Sequence, residues 1–109
     1  MADEAVEVVR IRPQDGAQER LRAIREQLVA EYERHWPGQF RTRLLELEDG
    51  TWLDLWAWSS RELAERALAE EEKTPTFGEW RTLVEPLGFD WAVAPAWGTH
   101  PASTGEVAS

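Results

Sequence analysis

The sequence predicts an α+β domain of order β-α-β-β-α-β, in which a four-stranded antiparallel sheet carries two helices on one face. Three observations lead there. Stretches of helical periodicity alternate with stretches of period-two alternation. Asp49-Gly50 lies between two of the alternating stretches and marks a hairpin. Finally, "TWLDLWAWSS", residues 51–60, sets Trp52, Asp54, Trp56 and Trp58 on one parity and Leu53, Leu55 and Ala57 on the other. Successive strand residues point to opposite faces, so this strand is apolar on both.

The first strand is AVEVVRIRP, residues 5–13, ended by Pro13. A helix follows over about 16–35, with Asp15 as N-cap and Gln18 as its capping-box partner. Leu21, Ile24, Leu28 and Tyr32 repeat along one of its faces, and Pro37-Gly38 stops it. QFRTRLLELE, residues 39–48, is the second strand, and the tryptophan-rich stretch is the third. Ser59 with Glu62 opens the next helix, whose buried stripe is Leu63, Ala67 and Leu68. Thr74-Pro75 interrupts and re-caps it, and a further segment carries Phe77, Trp80 and Val84. Pro86 and Gly88 end that segment, and FDWAVAPAW, residues 89–97, is the last strand. Residues 1–97 thus form a single domain, and 98–109, without apolar periodicity, form a flexible tail.

Of the 109 residues 42% are hydrophobic, enough for a core and too many for a disordered chain. A net charge of −9 argues against nucleic acid and against anionic membranes as partners. The absence of cysteine removes disulfides, thiolate chemistry and cysteine metal sites. The acidic N-terminus does not read as a signal peptide and no stretch is long enough to span a bilayer, so a cytoplasmic location is expected. Eleven of the 12 basic residues are arginine and asparagine is absent, which points to a GC-rich bacterial genome.

A two-residue loop at Asp49-Gly50 pairs Glu48 with Thr51 and sets Leu45 opposite Asp54, Arg43 opposite Trp56 and Arg41 opposite Trp58. Arg41, Arg43, Leu45 and Leu47 then share the tryptophan face, while Phe40, Thr42 and Leu44 share the other with Leu53, Leu55 and Ala57. Two helices cover only one of these faces. Covering the other calls for a second copy of the sheet, in a symmetric homodimer.

Asp54, walled by indoles, is the leading candidate for a general base, since burial raises a carboxyl pKa. Its structural alternative is an ion pair with Arg43 across the hairpin. Arg41 and Arg43 are placed to stack on indoles or hold an oxyanion, or simply to line a sheet edge. Trp52, Trp56, Trp58, Trp80 and Trp91 are either the walls of an aromatic pocket or core, and Tyr32 either offers its hydroxyl to a ligand or packs in the core. His35 and His100 lack a second ligand at metal spacing, and there is neither a glycine-rich phosphate loop nor a Ser/His/Asp arrangement.

On these residues the chain resembles the antibiotic biosynthesis monooxygenase (ABM) domains of the dimeric α/β-barrel superfamily. Trp58 followed by "SSRELAERAL" is similar to their strand-Trp-Ser-x-Glu-helix segment, and "TPTF" resembles the break in their second helix. The likeness spans roughly residues 5–95. It implies ferredoxin-like protomers paired into a dimeric barrel, each with a sheet-helix pocket for a flat polyaromatic or quinol-like substrate. It also implies oxidation by O2 without metal or flavin, the substrate carbanion reducing oxygen. Those enzymes carry an asparagine four residues before the third-strand tryptophan, where this chain has Asp54. Haem-degrading relatives need a second-helix histidine and a first-strand asparagine, and both are missing here. The expectation is a cofactor-independent monooxygenase for an aromatic, polyketide-like small molecule. Asp54 accepts a proton, Arg43 stabilises the anion, and Trp56 and Trp58 stack the ring. The alternatives are an acid/base cyclase or isomerase in the same pocket, and a non-catalytic small-molecule-binding dimer.

Overall fold

A computed structural model describes residues 3–94. The elements are β1 (Glu4–Pro13), α1 (Gln18–His35), β2 (Phe40–Glu46), β3 (Trp52–Trp58), α2 (Arg61–Glu71), α3 (Pro75–Leu83) and β4 (Val84–Ala94). The four strands form an antiparallel sheet in the order β2-β3-β1-β4. All three helices pack on one face: Tyr32 of α1 and Ala64 and Ala67 of α2 meet Trp56 and Trp58, while Leu21 of α1 and Trp80 of α3 meet Ile11 and Trp52. This is the expected ferredoxin-like α+β architecture, with the second helix divided at Thr74-Pro75. The last part of FDWAVAPAW and the C-terminal tail lie outside the described residues.

Several local readings are corrected. Helix α1 begins at Gln18 with Ala17 as N-cap and no side-chain cap. Asp15 and Gly16 instead form a tight turn closed by Ala17 N–H to Gln14 C=O at 2.9 Å, with Gly16 at φ +74°. The cap of α2 is Ser60 rather than Ser59, its hydroxyl accepting from Leu63 N–H at 3.1 Å. The buried stripe of α2 is Ala64, Ala67 and Glu71, with Leu63 and Leu68 half-buried. Thr74 caps α3 as expected, with Pro75 in the first turn. Pro86 and Gly88 do not end a helix, because β4 already starts at Val84 and runs through them. A proline is tolerated there because β4 is an edge strand.

The hairpin register is the correction with most consequence. Leu47 N–H bonds Thr51 C=O at 2.8 Å and Gly50 N–H bonds Leu47 C=O at 3.1 Å, so the loop is Glu48-Asp49-Gly50. Gly50, at φ +90°, takes the left-handed position that closes a three-residue loop. Phe40 therefore pairs with Trp58, Thr42 with Trp56 and Leu44 with Asp54. One residue of slip moves every β2 side chain to the other face. Phe40, Thr42 and Leu44 join the tryptophans under the helices, while Arg41, Arg43 and Leu45 join Leu53, Leu55 and Ala57 on the open face.

Two buried polar contacts fasten α1. Arg25 lies one turn beyond Leu21 and so points under the helix; its Nε and Nη2 donate to Asp54 Oδ2 and Oδ1 at 3.0 and 2.8 Å, and Nη2 also donates to Thr42 Oγ1 at 2.6 Å. Only 13% and 7% of the two charged side chains are exposed. At the other contact, Glu31 of α1 meets Glu71, which is fully buried on α2. Glu31 Oε1 is buried without an N–H or hydroxyl donor, and burial with the neighbouring Glu31 raises the Glu71 carboxyl, which favours a proton between the two groups. Thr76 Oγ1 donates to the other oxygen of Glu31.

Arg25→Met strands a buried carboxylate and is expected to lower the unfolding free energy by about 3–5 kcal/mol in urea titrations. The double variant Arg25→Met/Asp54→Leu, with neither charge left, is expected to recover most of that loss. Burial and the neighbouring Glu31 raise the Glu71 pKa from 4.5 to about 7. Below pH 4.5 the folded and unfolded chains both hold that proton, and the contact contributes fully. As pH climbs through about 7 the unfolded chain has already released it, and the folded chain must ionise Glu71 beside Glu31, so stability falls. Glu71→Gln is expected to match the native protein's Tm in acid and to exceed it increasingly between pH 5 and 8, as read by circular-dichroism melts.

Candidate functional site

The tryptophan face of β3 contributes to two core clusters. Trp56 and Trp58 pack with Tyr32, Ala64 and Ala67 at one end; Trp52 packs with Ile11, Leu21 and Val84 at the other. Asp54 sits between them on the strand, and its ion pair takes the place of a further apolar contact. Beside that break a cavity of about 470 Å³ opens between sheet and helices, a size suited to a small organic ligand.

Each element supplies part of the wall. Strand β1 contributes Glu7, Val9 and Ile11, and β3 contributes Asp54 and Trp56. Leu28 and Tyr32 descend from α1, Leu68 from α2, and Phe77 and Trp80 from α3. In β4 the pairing with β1 shifts between Arg10 and Ile11, which face Gly88 and Pro86. The extra residue, Leu87, makes a bulge, and bulges re-aim side chains. Leu87 and Phe89, both exposed, form the rim with exposed Arg10 and Glu72.

Four of the residues singled out from sequence meet at this cavity: Asp54, Trp56, Tyr32 and Trp80. Trp52 and Trp58 do not line it; they are core residues, 3% and 1% exposed. Trp91 is half-buried on β4 outside the lining, with the Arg61 guanidinium 4.6 Å above its ring. Arg43 and Arg41 lie across the sheet, so the expected contact of Arg43 with Asp54 is corrected to Arg25, and Arg41 pairs with Glu4. The guanidinium groups over β3 indoles are likewise Arg22 on Trp52 and Arg25 on Trp56, each 5.4 Å from the ring centroid.

The structure adds Glu7, which sequence reasoning passed over. It pairs with Trp56 on one side and Trp91 on the other, pointing to the helix face. Its Oε1 accepts the Trp58 indole N–H at 2.8 Å, and its second oxygen has no hydrogen-bond partner among the described residues. Burial pushes its carboxyl from 4.5 up to about 7; the Trp58 bond partly opposes this and the Asp54 charge adds to it. Asp54 is also raised by burial, against the pull of Arg25, which occupies both its oxygens. The Tyr32 hydroxyl is pushed upward by burial and by the surrounding carboxylates, and stays neutral. A signal for both missed residues was present. Glu7 shares the parity of Val9 and Ile11, and Arg25 lies on the apolar stripe of α1, so each was a charge at a core position. Among the described residues, no group of three or more His, Cys, Asp or Glu side chains is arranged to hold a metal ion.

No family model and no curated protein matches the chain. Solved structures do. SnoaB from Streptomyces nogalater, a cofactor-independent oxygenase, is 25% identical with a TM-score of 0.70, over 92% of this chain and 99% of its own. A candidate antibiotic biosynthesis monooxygenase from Chloroflexus aurantiacus is 16% identical, with a TM-score of 0.62 over 89% of this chain and 97% of that one. One from Nitrosomonas europaea is 14% identical, with a TM-score of 0.61 over 93% and 97%. The fold and a quarter of the residues are thus shared with SnoaB along nearly the whole chain, and the protein is similar in structure to the ABM-type oxygenases.

Proposed function

We propose that this protein is a cofactor-independent monooxygenase acting on a flat hydroxylated aromatic small molecule of polyketide type, such as an anthrone or quinol. The observation that carries the reading is the cavity of about 470 Å³, walled by Trp56, Trp80, Phe77 and Tyr32 and holding buried carboxyl groups. Aromatic walls take a planar ring through stacked or edge contacts. A water-poor interior strengthens the electrostatic interactions that stabilise charge developing on the substrate. The net reaction turns a ring methylene into a carbonyl: one atom of O2 stays on that carbon, and the other leaves as water with both hydrogens. Trp56, Trp80 and Tyr32 hold the ring, and Asp54, fixed by Arg25, sets the potential at the cavity wall.

An acid/base cyclase or isomerase in the same cavity is the second reading. It is favoured by a second buried carboxyl in the cavity wall, Glu7, beside the Asp54 carboxylate that stands where the resemblance places an amide.

The homodimer belongs to the same proposal. On the open face, Val6, Val8, Leu53, Leu55 and Ala57 are only half-buried, with Arg41 and Arg43 beside them. A second sheet laid on this surface removes the apolar strip from water.

With 1,8-dihydroxyanthrone and a series of hydroquinones, an oxygen electrode is expected to record protein-dependent uptake of one O2 per anthrone oxidised. Conversion without uptake supports the cyclase reading. Quenching of tryptophan fluorescence without conversion leaves a binding protein. Light scattering is expected to report twice the 12.5 kDa chain mass; a particle of single-chain mass at micromolar concentration overturns the dimer.

A further inference from the structure

We propose that Glu7 is the catalytic residue that takes the proton from the substrate, with the Trp58 indole N–H aiming its carboxylate into the cavity. The assignment rests on the reading that the ligand is a hydroxyaromatic with an acidic C–H or O–H. Geometry is its first support. Both oxygens of Asp54 are engaged by Arg25, at 3.0 and 2.8 Å, so this carboxylate is committed to an ion pair. Glu7 has one oxygen held by Trp58 at 2.8 Å and the other unbonded among the described residues, and it lines the cavity. It is also rigid: the middle of β1 is paired on both sides, to β3 and β4. A base seated on a central strand keeps its position when a ligand enters.

The surroundings suit proton transfer. The ionisable groups facing Glu7 are Asp54 on β3 and Tyr32 on α1, and Arg10 of its own strand and Glu72 after α2 stand at the cavity rim. On α3 the cavity wall is Phe77 and Trp80, without an ionisable group. Burial brings the Glu7 carboxyl to about 7, where a general acid or base works most effectively near neutral pH. In the step itself the substrate C–H or O–H bond breaks and the proton goes to the unbonded oxygen of Glu7. The electron pair stays on the ring system as an enolate. Dioxygen then accepts electrons from that enolate in the oxygenase; in an isomerase, protonated Glu7 returns the proton to another carbon. Trp58 acts as a positioning residue, since its indole touches Glu7 while its ring is in the core.

Without oxygen, 1,8-dihydroxyanthrone mixed with the native protein is expected to develop the visible absorbance of its anion, increasingly as pH rises through about 7. Glu7→Gln keeps the shape and an acceptor for Trp58. It is expected to bind the anthrone with similar fluorescence quenching, to form no anion, and to lose about 100- to 10,000-fold in kcat/KM. Glu7→Asp, which retains a carboxylate, is expected to restore part of the anion signal, which guards against a folding defect in the glutamine variant. Equal anion formation in native protein and Glu7→Gln overturns the proposal, as does a native protein that binds the anthrone without ionising it. Failure of every aromatic probe to bind overturns the functional reading itself, which separates the two outcomes.

Discussion

A guanidinium-carboxylate pair in the layer between sheet and helices organises this molecule. Asp54 occupies a core position on β3, and Arg25 reaches it from a stripe position on α1. Removing two charges from water costs several kcal/mol each, and the cost is offset only by close, well-directed contacts. Both carboxylate oxygens are engaged, and Thr42 takes a further guanidinium N–H. The pair also separates two apolar clusters that would otherwise meet along β3. The cavity is the spatial consequence. Side chains as large as tryptophan, interrupted by a polar pair, do not close over the sheet to the density of an unbroken core.

The same layer explains why two carboxyl groups of one cavity differ. Asp54 is matched to a cation, so burial and pairing oppose each other at the one group. Glu7 has only an indole N–H, and the nearby Asp54 charge works against its ionisation. Neighbouring titratable groups whose environments divide them into a fixed ion and a poised acid are the arrangement from which acid/base roles are built. The Glu31–Glu71 contact applies similar physics away from the cavity, where burial and a neighbouring carboxyl raise Glu71 while Glu31 is lowered.

The sheet has two unequal sides. Under the helices, β3 side chains are buried at every second residue, while on the other side they are half-exposed. The register of β2 places arginines on the half-exposed side and a threonine and a leucine under the helices. Arg41 and Arg43 therefore flank the half-buried strip of Leu53, Leu55 and Ala57 on that side.

The order of elements, the parity of β3, the amphipathic stripe of α1 and the break at Thr74-Pro75 were legible in the sequence alone. Each is written within a few residues, as hydrophobic spacing or as cap and breaker chemistry. The choice between a two- and a three-residue hairpin loop was not, because Asp-Gly suits both; Gly50 took the bulge position and turned Arg41 and Arg43 away from Asp54. The partner of Asp54 and the importance of Glu7 were likewise decided only by tertiary structure. A charge at a core position shows in one segment, but its partner lies on another: Arg25 is 29 residues from Asp54, and Trp58 is 51 from Glu7. Local pattern determines which face a side chain takes, and only packing determines what it meets there.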